Sequence, residues 1–129
     1  VFFPSKIAID TSTDSTNPLT DPGDVPLSRI LVVPQRDPNN LAPPSKTVLV
    51  SDVACTVSVY VADDSTFPNV YDSQITQAQL DGRRFWLLQS SLSLSAGTLA
   101  ALSLPVYGYV YVKVTTPPAG AGTIWAAVL

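Results

Sequence analysis

The closing stretch of the chain constrains its fold more than any other. Val106, Gly108, Val110, Val112 and Val114 alternate there with Tyr107, Tyr109, Tyr111, Lys113 and Thr115. A side-chain period of two belongs to an extended strand whose residues point to opposite faces of a sheet. After the connection TPPAGAG the alternation resumes, Ile124, Ala126 and Val128 against Trp125, Ala127 and Leu129. Two such runs joined by a Pro- and Gly-rich link predict a terminal hairpin, 106–116 paired with 123–129. The valine face is expected to point into the core.

The same period appears in CTVSVYV, where Cys55, Val57, Val59 and Val61 face one way and Thr56, Ser58 and Tyr60 the other. Further strands are expected over 28–33 (ended by Pro34), 46–52 and 83–91. Residues 75–82 fit one helical turn or a strand, and 92–104 fit a strand that passes through Gly97 into a short helix or a further strand. Residues 1–9, VFFPSKIAI, either pair as a strand or anchor onto a neighbouring subunit. Residues 10–26 form a polar, turn-rich loop, long for a compact domain. The expected division is an N-terminal strand or arm with its loop, 1–27, and a β-sandwich domain, 28–129. All ten acidic residues are Asp and none is Glu, and there are 12 prolines. Asp and Pro favour turns, whereas Glu favours helices. Together these features predict an all-β chain, an antiparallel β-sandwich or jelly roll of about seven or eight short strands.

Charge narrows the function. Only 13% of the 129 residues are charged, against about 25% in an ordinary soluble domain. Such a surface relies on uncharged polar groups or is partly covered by other protein. The net charge of -3 argues against a nucleic-acid partner, which needs a basic field to displace counterions from phosphate. It argues equally against a polybasic membrane binder. The weakly polar stretch 92–112 is broken by serines, glycines and a proline, so no spanning helix is expected. No basic segment precedes an apolar run at the start, and no signal peptide is read there.

Chemistry is sparse. The chain has no His and a single Cys. That removes Ser-His-Asp and Cys-His arrangements and most zinc sites, and it leaves no intrachain disulfide. Cys55 reads as a small buried hydrophobe. A carboxylate mechanism needs two acids facing across a cleft, but the adjacent Asp63 and Asp64 would point opposite ways on a strand. Asp21 and Asp24 read as turn formers, with calcium as the lesser alternative. Arg83 and Arg84, the adjacent basic pair, read as structural. No catalytic residue, metal or cofactor is expected, and the chain is read as non-enzymatic. The candidate interface residues are Phe2, Phe3, Tyr107, Tyr109 and Tyr111. The tyrosine stripe admits three readings, namely local packing, a subunit contact or a sugar platform. Trp86 and Trp125 are further candidates for the sugar platform.

The segments VSVYVADDSTFPNVYD and LSLPVYGYVYVKVTTPPAGAGTIWAAVL resemble β-sandwich structural proteins of bacteriophage particles. The resemblance spans roughly residues 46–129 and leaves out the polar N-terminal segment. It implies a virion component, such as a head decoration, neck or fibre-associated protein. It also implies self-association or docking on a capsid lattice, and it carries over no catalytic residue. The expected partners are therefore copies of the chain or other virion proteins. A carbohydrate- or receptor-binding module is the alternative.

Overall fold

The computed structural model describes residues 2–21, 24–33, 47–63, 84–104 and 108–128. They form eight strands: β1 (Phe2–Ile9), β2 (Ile30–Val33), β3 (Thr47–Ser51), β4 (Cys55–Asp63), β5 (Arg84–Leu94), β6 (Leu99–Leu104), β7 (Gly108–Thr116) and β8 (Gly122–Val128). A single 3-10 turn, Leu27–Arg29, leads into β2. No helix among these residues is long and apolar enough to cross a membrane. The readings for 64–74, 75–82 and Tyr107 lie outside the described residues.

The strands form two four-stranded sheets, ordered β1-β8-β3-β6 and β2-β7-β4-β5. Four antiparallel pairs carry the topology: β1 with β8, β2 with β7, β3 with β6 and β4 with β5. The first strand thus meets the last, the second meets the seventh, and so inward. A long antiparallel ribbon rolled onto itself gives this nested set, and it is the jelly-roll arrangement. The all-β expectation holds, in the jelly-roll form of the two anticipated.

The terminal hairpin does not hold. β7 pairs with β2 and β4, whereas β8 pairs with β1 and β3, so the two strands lie in different sheets. The link between them crosses from one sheet to the other. Pro117 and Pro118 follow β7 directly and have no N–H to offer a hairpin ladder. Alternation fixes the face a residue occupies but not the strand beside it, so two runs consecutive in sequence look the same whether they pair or part.

The valine face behaves as expected. Val110, Val112 and Val114 pack with Val57, Val59, Leu31, Leu49, Ile124 and Ala126 in one core between the sheets. Cys55 belongs to the same core, and burial pushes its thiol pKa up. Residues 92–104 resolve into the end of β5, a turn, and strand β6. The first residues pair with β8 as an edge strand of the first sheet.

Candidate functional site

Tyr109 and Tyr111 point away from the inter-sheet core, but they are not exposed. Tyr111 is fully buried and Tyr109 nearly so. They sit in a second apolar cluster with Val25, Ile30, Tyr60 and Phe85, which takes at least one residue from every strand of its sheet. Tyr60 stacks on Tyr111 at a centroid distance of 5.6 Å, and Phe85 meets it edge-on at 6.4 Å. Both are favourable aromatic geometries.

Residues 10–21 and 24–26 cover this face as a strap. The Asp14 N–H donates to the Val114 carbonyl at 2.9 Å. The Asp14 carboxylate accepts the Val114 N–H, also at 2.9 Å. β2 pairs with β7 only from Gly108 to Tyr111, and Asp14 takes up the strand edge just beyond. Arg29 donates to Asp14 Oδ2 at 2.9 Å and to the Ala8 carbonyl at 2.8 Å, tying the strap to the end of β1. The Tyr111 hydroxyl donates to the Thr16 carbonyl at 3.3 Å, and burial drives its pKa well above the usual tyrosine value. Val25, 1% exposed, brings the chain back down onto the cluster. Of the three readings of the stripe, Tyr109 and Tyr111 occupy the local-packing position, beneath a loop of their own chain. Tyr107 and the side chains of Phe2 and Phe3 lie outside the description.

Asp21 and Asp24 belong to the strap's turns, where their backbone N–H groups donate to Asn17 and Asp21. Asp63 ends β4 opposite Arg84, while Asp64 and Arg83 lie outside the described residues. Among the described residues, no three His, Cys, Asp or Glu side chains gather where they could hold a metal. Trp125 is partly buried in β8, facing Lys6 and Val50 across the sheet.

The two sides of the sandwich differ. On one side β1 carries Pro4 and an exposed Lys6, and β2 is only four residues long. Ser5 Oγ accepts the Val32 N–H at 3.0 Å, joining these two edges. Proline, lysine, shortness and an occupied edge donor are the usual guards against strand addition. The other side is bounded by β5 and β6, the last strands of their sheets. From Phe85 to Leu104 the sequence has no charged residue and no proline. Trp86, Leu87, Leu88 and Leu99 are each 40 to 50% exposed there. The β4–β5 ladder slips on both sides of Val59, and Ser91 has a φ of 53°, so β5 bends while carrying no charge beyond Arg84. The sequence contained this signal as an uncharged run of twenty residues. It went unread because two edge strands cannot be recognised as edges before the topology is known.

No family model, curated protein or solved structure matches the chain.

Proposed function

We propose that the chain is a non-enzymatic structural protein of a virus particle, acting through contacts with other subunits or with a capsid in the manner of a decoration or cement protein. The observation that carries this reading is the uncharged β5–β6 side. A monomer in water gains nothing from two unguarded edges with four exposed large apolar side chains, and strand edges of this kind template pairing with another chain. Covered by a neighbouring subunit, the same residues give a contact with a desolvated apolar centre. Jelly rolls serve in capsids and in lectins, so the fold is compatible with the reading without selecting it. The low charge favours a surface that is partly covered by protein.

Sedimentation velocity across a concentration series, with electron microscopy of the largest species, tests the proposal. Discrete symmetric oligomers or larger assemblies are expected. A chain that stays monomeric at every concentration and does not bind purified virus particles overturns it.

A further inference from the structure

The outer face of the second sheet changes character along β4 and β7. Tyr60 stands opposite Tyr111 there, and the next cross-strand pair on the same face is Ser58 with Lys113. Paired residues of antiparallel strands carry their side chains on one face, with Cβ atoms about 4.5–5.5 Å apart. Ser58 is 7% exposed, and Lys113 is half-buried. Among the described residues, neither the Ser58 hydroxyl nor the Lys113 ammonium has a hydrogen-bond or ion-pair partner. Asp14, which meets β7 one residue on at Val114, is committed to Arg29 and to the Val114 N–H. A buried hydroxyl without a partner costs stability, and such a group calls for a water or an ion to complete it. On its other side Ser58 faces the break in β5. Val57 pairs with Leu92 and Val59 with Gln89, so Ser90 and Ser91 together stand opposite Ser58. The extra residue of such a bulge is left out of the ladder. Ser58 therefore lies between a lone ammonium and two exposed serines.

We propose that Lys113 and Ser58 form the base of a site for one singly charged oxyanion, a carboxylate or a sulfate ester. One oxygen lies on the ammonium and another on the hydroxyl. The two donors stand on adjacent strands, so the ladder sets their spacing before any ligand arrives. Hydrogen bonds to an ionised acceptor are roughly twice as strong as neutral ones, which gives the buried hydroxyl its partner. An ammonium is a compact point charge with rotatable donors, so it accepts a planar or a tetrahedral group alike. Its single positive charge balances a single negative one. A doubly charged phosphate would leave an excess beside Asp14, and a nucleic-acid backbone draws on several cations. The proposal does not rest on the assembly reading, because an isolated subunit presents the same face.

Saturation-transfer NMR on the full chain tests it at neutral pH, with sodium acetate and sodium methyl sulfate as probes and sodium chloride matching the ionic strength. One or both probes should saturate in the millimolar range, and which of them does so separates carboxylate from sulfate ester. Lys113→Gln should weaken the bound probe by about tenfold, the scale of one charge-assisted hydrogen bond. Lys6→Gln, on the other sheet, should bind as the parent does. Ser58→Ala should weaken binding several-fold. Without a probe it should melt no lower than the parent, since it removes a hydroxyl that has no partner in the fold. With the probe the parent's melting temperature should rise, and that of Ser58→Ala should rise less. No saturable signal from either probe, equal binding by Lys113→Gln, or a Ser58→Ala variant that melts well below the parent without a probe overturns the proposal.

Discussion

At the residue scale, two aspartates close two strand edges by the same device. Asp14 donates its own N–H to Val114 and accepts the Val114 N–H on its carboxylate. Asp52 does the same with Thr123, donating at 3.2 Å and accepting at 2.7 Å. Each aspartate therefore satisfies both backbone groups of one strand residue. The short side chain is part of the fit, since Asp can reach back to a neighbouring backbone group that the longer Glu overshoots. Asp14 carries more, because its carboxylate also holds Arg29. Asp14→Ala strands the Val114 N–H and the guanidinium together and should cost about 2–3 kcal/mol, read from chemical denaturation. Asp52→Ala, at a more exposed position, should cost less. Alkaline pH tests the burial of Tyr111. Its folded pKa lies above its unfolded value of 10.0, so the unfolded chain loses that proton first. The stabilisation is therefore complete below pH 10 and declines as pH rises beyond it. Tyr111→Phe should flatten that decline above pH 10 while changing stability at neutral pH by only about 1 kcal/mol, the worth of one hydrogen bond. Thermal melts of both proteins across pH 7 to about 11 check it.

At the element scale, β7 is the strand on which both cores depend, valines toward one sheet and tyrosines beneath the strap. Its first residue, Gly108, has a φ of 126°, a region open essentially to glycine alone. An added Cβ would meet nothing within 4 Å, so the constraint there is conformational and not steric. Gly108→Ala should destabilise by about 1–3 kcal/mol, with a lowered urea midpoint and an unchanged slope. Gly122, at the start of β8, is the opposite case. A Cβ there would collide with the Val53 side chain, where the Asp52 clasp draws the bend after β3 onto β8. Much of this was legible in sequence. The faces of β4 and β7, the burial of Cys55 and the strand at 47–51 all followed from local alternation. What failed was pairing. The β7–β8 hairpin was read from adjacency, yet each strand finds its partners among residues far away in the chain. The strap failed for a related reason. Its polar, turn-rich sequence announced a loop, but its hold on the tyrosine face runs through Val25 and through backbone groups such as the Thr16 carbonyl, and backbone groups leave no mark in sequence.

At the scale of the whole molecule, the two sides of the sandwich differ, among the described residues, in how their strand edges are guarded. The β1–β2 side is joined by Ser5 and Val32 and by Arg29 and Ala8, and it carries Pro4 and Lys6. Among the described residues, the β5–β6 side has no such device apart from the bend in β5. If assembly uses the unguarded side, supplying the missing guard should prevent it without harming the fold. Leu88 and Leu99 are 40% and 45% exposed, so lysine at either position keeps its charge in water, and the change to the isolated subunit should stay within about 0.5 kcal/mol. In an assembled contact the same lysine would be buried without a partner, a far larger penalty. Leu88→Lys with Leu99→Lys should therefore dissociate the assembly to monomers that melt as the unassembled parent does. Lys6→Ala, on the guarded side, should leave the oligomer unchanged. Sedimentation of the three proteins at matched concentration separates the outcomes. Assembly that survives the double lysine variant but is altered by Lys6→Ala would move the contact to the β1–β2 edge, where the strap and its Asp14–Arg29 tie would be the parts a partner meets first.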